Sequence, residues 1–224
     1  MNTLFHTKAS REDYRSYFIL FLIAFCTRAF FLLYIDEPTI FFKYPFFAEK
    51  LASGVDIGER LVDLSPFYLY FLTFLKRVFD IDWTYVKFMQ SFVGALNCLL
   101  VYAVGARAFR KEVGFLAALI VSVYGNLIIL ESTLEPTVFV LLFNLLSIYF
   151  LLRVNENGSS RKRRSLPLLL AGLFAGFSII TKPNFLLFLP LATAWLFFCE
   201  EETLRFQRRL ESSLLFCGAA LLVV

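Results

Sequence analysis

The chain has 224 residues, 59% of them hydrophobic and only 18% charged, with a net charge of +4. A soluble domain of this size carries more charge and shorter apolar runs, so the composition points to an all-α polytopic membrane protein. The positive balance gives no reason to expect nucleic acid, because the basic residues gather in loops between apolar runs.

In chain order, Lys8, Arg11 and Arg15 lead into the first apolar run, and no small-residue cleavage site follows it. Residues 1–16 therefore read as a cytoplasmic N-terminus and 17–35 as an uncleaved anchor helix. That helix ends at Asp36 and Glu37, before Pro38. A proline disfavours helical geometry in the residue before it, so two carboxylates stand at a helix C-terminus, where the macrodipole is already negative. Such a site raises a carboxylate's proton affinity, as a general base requires. The competing reading is a stop-transfer boundary with ordinary interfacial charges. Arg28 lies roughly 10 Å inside the same helix. A charge at that depth is costly and marks function or a side chain snorkelling to the interface.

Pro66 to Phe79 is too short to span comfortably and ends in Lys76 and Arg77. If it lies on the outer surface, most of the 22 basic residues, including the Arg161–Arg164 cluster, fall on the cytoplasmic side; if it spans, that cluster moves outside. The positive-inside rule selects the first arrangement. Residues 36–83 then form one long extracytoplasmic loop carrying surface helices, and loops of that length are usually functional. Lys43, beside Tyr44 in this loop, is a candidate for an anionic group.

Further spans are expected at 84–106, 113–130, 136–153, 165–181 and 184–199, with another from about 213, for about seven transmembrane helices within 17–224. The chain stops inside the last one, which reads as truncation. Glu131 ends the third span, again an acid at an unfavourable dipole end, whereas Glu135 before Pro136 is explained as helix capping. Gln90, Asn97 and Asn144 suit interhelical hydrogen bonds, and Gly172 with Gly176 makes a small-xxx-small packing face. Lys182 closes the fifth span in the sequence TKPN. Cys26, Cys98, Cys199 and Cys217 lack metal-ligand spacing. There is no phosphate loop, zinc motif or Ser-His-Asp set, and His6 is the only histidine. Acid–base chemistry must therefore rest on carboxylates or lysine. No internal repeat supports an inverted-repeat transporter.

The ordered series YPFFAEKLASG, LSPFYLYFL, MQSFVGALNCLLVYAVGARAF, GFLAALIVSVYGNLIILESTL and TKPNFLLFLPL resembles the membrane half of GT-C type polyprenyl-phosphate-sugar glycosyltransferases (glycosyltransferase family 39). These are relatives of the protein O-mannosyltransferases and of the bacterial transferase that places aminoarabinose on lipid A. The resemblance implies a membrane enzyme, in the cell (inner) membrane, working on the extracytoplasmic face. It implies a polyprenyl-phosphate-linked sugar donor, a lipid, glycan or protein acceptor, and a first-loop acid that deprotonates the acceptor.

In that family the first-loop aspartate often precedes a tyrosine by four residues, and the tyrosine precedes an alanine by four. Tyr44 and Ala48 fit, but position 40 is Ile40, and the nearest acids are Asp36 and Glu37. Glu131 fits a second acid after the third helix, to orient the acceptor or hold a cation. Lys182 and Asn184 fit a recurrent T[KR]PN. The roles implied are catalytic for Asp36, Glu37 and Glu131, and donor-phosphate binding for Arg28, Lys182 and Lys43. No cofactor is named, a divalent cation being one candidate. Direct displacement implies inversion at the anomeric carbon. The alternatives are a membrane transporter or lipid flippase, and an inactive truncated GT-C relative.

Overall fold

The computed structural model describes residues 11–35, 43–56, 58, 64–156, 161–199 and 206–224, and every element among them is helical. Asp36 and Glu37 lie outside the described residues. The described residues form two compact units, one up to Leu142 and the other Phe143–Val224.

The first unit holds α1 (Arg11–Tyr34), α2 (Lys43–Ala52), α3 (Pro66–Phe79), α4 (Trp83–Ala108), α5 (Lys111–Ser122), α6 (Gly125–Ser132) and the start of α7 (Thr137–Glu156). Local chemistry sets these ends. Pro66 opens α3, where its missing N–H costs nothing. Asp80 closes α3 in the left-handed region at φ 45°, and its carboxylate pairs with Lys76 at 2.7 Å. Asp82 caps α4 by accepting from the Thr84 amide at 2.7 Å. The α4–α5 hairpin closes backbone to backbone: a Cβ on Gly105 would stand 2.7 Å from the Gly114 Cα. Around it, Leu20, Tyr102 and Ala118 form one apolar cluster, and Ala24, Ala95 and Cys98 another.

The expected span 113–130 is not one straight helix. It breaks between α5 and α6, which bend by 51°. Tyr124 is extended there, with ψ 100°, and Gly125 follows, so the last carbonyls of α5 lose their helical donors. Within a bilayer such groups must find partners in the protein, and α1 supplies them, as described below.

Among the described residues, four helices are long and apolar enough to cross a membrane, Tyr14–Tyr34, Trp83–Ala108, Thr137–Val154 and Arg164–Thr181, or five if the bent pair counts as one span. The expected span 184–199 begins instead as a 3-10 turn, Pro183–Leu187, which leaves α9 (Phe188–Cys199) only 12 residues. The helix expected from about 213 starts earlier, as α10 (Phe206–Leu221), and has 16 residues. Both are shorter than the roughly 20 residues of a regular span.

The second unit contains the rest of α7, α8 (Arg161–Thr181), the 3-10 turn, α9 and α10. Gly172 and Gly176 lie against α10, where added Cβ atoms would fall on the Phe216 and Ala220 carbonyls. The small-xxx-small reading holds: these glycines let two backbones approach. Leu151, Val154, Leu168, Ala171, Ala175, Leu196 and Phe216 fill the remaining core. Ser147 donates to the Ala171 carbonyl at 2.9 Å. The Asn144 amide oxygen is buried without a hydrogen-bond partner.

Candidate functional site

The first unit brings Arg28 and Glu131 together across 103 residues of sequence. Arg28 Nε donates to Glu131 Oε2 at 2.7 Å and Nη2 to Oε1 at 3.1 Å, a bidentate pair with both side chains buried. This is the geometry a planar guanidinium offers a carboxylate. It also explains how Glu131 tolerates the C-terminal turn of α6, because the adjacent cation offsets the dipole.

The third guanidinium nitrogen serves the broken span. Arg28 Nη1 donates to the Ser122 carbonyl at 3.2 Å and to Ala24 at 3.0 Å, and Thr27 Oγ1 donates to the same Ser122 carbonyl at 2.9 Å. Space for the Glu131 carboxylate comes from Gly94 on α4, where any Cβ would overlap it. Helices α1, α4, α5 and α6 thus meet at one ion pair. Both residues stood out in the sequence as acids and bases that local helix physics leaves uncompensated; each compensates the other.

Beyond Glu131 the chain turns sharply from α6 to α7. Leu134 in this turn is fully buried and left-handed, at φ 54°. A non-glycine residue there costs about 1–2 kcal/mol, and such strain tends to collect where a site must be held in shape. Glu135 follows, half-buried. Its carbonyl accepts from Gln90 Nε2 at 3.0 Å, and the Val138 carbonyl accepts from Asn97 Nδ2 at 2.9 Å. The interhelical role expected of Gln90 and Asn97 is therefore seen. Their spacing with Gly94 puts all three on one face of α4. Lys87 belongs to that face too and is buried at 8% exposure. Sequence reading passed over Lys87, although its position three residues before Gln90 was the available signal.

Helices α2 and α3 add an aromatic layer. Tyr44 and Ala48, the pair that fits the family pattern, are both buried. Tyr44 Oη accepts from the Ser65 amide at 3.2 Å, its ring meets the Tyr68 ring edge-on at 5.0 Å, and Tyr68 lies 5.9 Å from Phe139. Burial pushes the Tyr68 hydroxyl well above the usual phenol range, with the nearby Glu135 charge adding to it, and Tyr44 is raised for the same two reasons. Ser65 Oγ, Tyr68 Oη and Gln90 Oε1 are enclosed without hydrogen-bond partners.

The other sequence candidates lie elsewhere. Lys43 is exposed at the first residue of α2. Lys182 is exposed in the second unit, where its extended backbone precedes the 3-10 turn. Among the described residues no group of three His, Cys, Asp or Glu side chains could hold a metal ion.

Comparison with curated proteins and with solved structures gives no match. The family described as dolichyl-phosphate-mannose-protein mannosyltransferase matches residues 63–224. That stretch takes in Lys87, Gln90, Glu131, Glu135 and Lys182 and begins after Arg28, Asp36, Glu37 and Lys43. With well over half its length matched, the chain belongs to the dolichyl-phosphate-mannose-protein mannosyltransferase family and is a membrane glycosyltransferase of the GT-C type.

Proposed function

We propose that the chain transfers a sugar from a polyprenyl-phosphate donor to a hydroxyl or amine of a lipid, glycan or protein acceptor, on the extracytoplasmic face of the cell membrane. The family match carries the reaction class. The sidedness rests on the basic inner loops and the acidic outer ones.

Asp36 or Glu37 takes the proton from the acceptor. The acceptor then attacks the anomeric carbon, the bond from that carbon to the phosphate oxygen breaks, and polyprenyl phosphate leaves with inversion. Lys43 neutralises the leaving phosphate, an electrostatic gain that grows as charge develops. Lys182, in the second unit, is proposed for the same task on the strength of its TKPN motif alone.

Arg28 acts differently from a phosphate ligand. Its guanidinium is engaged by Glu131, Ala24 and Ser122, so its contribution is to hold Glu131 and the turn that follows. A cation at Glu131 would have to displace Arg28 from both carboxylate oxygens. Glu131 is thus an orienting acid at the base of the site. A transporter or flippase gains no support from the family match.

The test is separate assay of Asp36→Asn, Glu37→Gln and the double variant for glycosyl transfer in membranes. A general base contributes about 10²–10⁴-fold, so one single variant and the double variant should lose activity on that scale. Full activity in all three overturns the base assignment.

A further inference from the structure

We propose that α2 and α3 form one cap that swings about residues 80–82, and that the closed position described above is one of two. Open, the cap uncovers Gln90 and the turn from Leu134 to Glu135. The inference concerns access to the first unit and holds whichever carboxylate is the base.

Three observations carry it. First, α2 and α3 are a body of their own. They pack along each other, and among the described residues no other helix lies closely along either. Tyr44 ties them together through the Ser65 amide and the Tyr68 ring. The pair meets the start of α7 through side chains, with Phe67, Tyr68 and Phe71 around Phe139 at 6.0, 5.9 and 5.2 Å between ring centroids. Second, the pair has a pivot and a latch. Asp80, Ile81 and Asp82 are non-helical, and Asp80 sits at φ 45°. A few residues at element ends absorb the rotation in hinged motions. The latch is Glu49 on α2, whose Oε1 accepts from Trp83 Nε1 at the start of α4, at 2.8 Å and open to solvent. Lys76 of α3 stands 5.9 Å over the same indole.

Third, the closed contact is imperfect. Tyr68 Oη faces the Gln90 side chain, yet neither it nor Gln90 Oε1 makes a hydrogen bond, and both are sealed from water. Turning the Gln90 amide to meet the hydroxyl would release the Glu135 carbonyl, which its nitrogen holds at 3.0 Å. Buried polar atoms without partners raise the free energy of the state that buries them. Swinging the cap out gives both atoms to water. The rings around Phe139 and the Glu49–Trp83 bond pull the other way. Opposed contributions of this kind leave both positions populated, and a change on either side shifts the balance.

The test is electron–electron double resonance on the full chain in nanodiscs. The four native cysteines are changed to alanine, and spin labels are attached at Phe46→Cys on α2 and Leu116→Cys on α5, both exposed positions. α5 is a fixed reference, because the α4–α5 hairpin closes backbone to backbone. The labelled protein should give two distances, one for each cap position. Glu49→Ala removes the latch and should raise the open-to-closed ratio about threefold, the scale of one exposed hydrogen bond. Tyr68→Phe keeps the ring and removes one unpartnered atom, so it should lower that ratio about tenfold. Both substitutions leave the packing around Phe139 in place, and thermal unfolding checks that the variants fold. Opposite shifts in the two variants sustain the cap. Any other pattern, one distance throughout included, overturns it. The readout needs no turnover, so the transfer reaction is judged separately, through Asp36 and Glu37 in the activity assay.

Discussion

The two units bury different kinds of residue. In Lys8–Leu142 the interior holds Arg28, Glu131, Lys87, Gln90 and Asn97. Among the described residues of Phe143–Val224 the buried polar side chains are serines and one threonine, with the Asn144 amide oxygen enclosed as well, and the core is mainly alanine, leucine and a phenylalanine wedged against glycines. The second unit is packed as membrane helices usually are, by small residues at close range. The first accepts ionisable groups at membrane depth, which a bilayer protein keeps only for a task. The difference makes the first unit the first place to test for chemistry, with Lys182 at the surface of the second as the candidate outside it.

The sharpest way to break that comparison is to remove half of the ion pair. Arg28→Ala or Glu131→Ala alone leaves a buried charge uncompensated and should cost about 3–5 kcal/mol, read as lost unfolding stability in detergent. The paired change Arg28→Leu with Glu131→Leu should cost less than either single change, while still abolishing transfer. If the single variants unfold like the native protein, the pair does not organise the first unit.

A smaller effect separates the two kinds of glycine. In Gly94→Ala the new methyl overlaps the Glu131 carboxylate; in Gly172→Ala it overlaps the α10 backbone at Phe216. Overpacking of either kind costs about 1–3 kcal/mol. Only Gly94→Ala should also lower kcat at temperatures where both variants are folded, because it moves Glu131. Equal activity in the two variants would erase the functional contrast.

The smallest effect is a control within the second unit. Gly218 lies inside α10 with nothing within 4 Å of an added Cβ. Gly218→Ala should therefore stabilise by about 0.5–1 kcal/mol, the helix penalty of glycine, and leave activity unchanged in a thermal-shift and transfer comparison.

Much of this was legible in the sequence, for identifiable reasons. Apolar runs gave the long helices, since length and hydropathy alone decide them. Gly172 and Gly176 were readable because four-residue spacing puts them on one face. Gln90 and Asn97 were readable because an amide at membrane depth needs a partner. Arg28 and Glu131 each stood out as an electrostatic cost.

What local sequence could not supply was their pairing, which joins residues 103 apart and depends on Gly94 leaving room. The break after Ser122 was signalled only by Tyr124 and Gly125, weak punctuation inside an apolar run. Leu134 could not have been anticipated as left-handed, because tertiary packing imposes that conformation on a residue that disfavours it. Lys87 went unremarked in the sequence, and its burial follows from the α4 face it shares with Gln90. The catalytic acids of the proposal, Asp36 and Glu37, remain a sequence inference, since they fall outside the described residues.

The Arg28–Glu131 pair also has a timetable. α1 leaves the ribosome before α5 and α6, and its arginine reaches the membrane while Glu131 and the Ser122 carbonyl are still unsynthesised. A central arginine costs about 2.5–3.5 kcal/mol to insert, and nothing yet offsets it. Pairing with Glu131 then removes a cost that the apolar residues of α1 have carried alone. An ion pair whose two halves are made far apart in time predicts a two-step insertion: a force-profile measurement on stalled nascent chains should show α1 pulled a second time as residue 131 emerges.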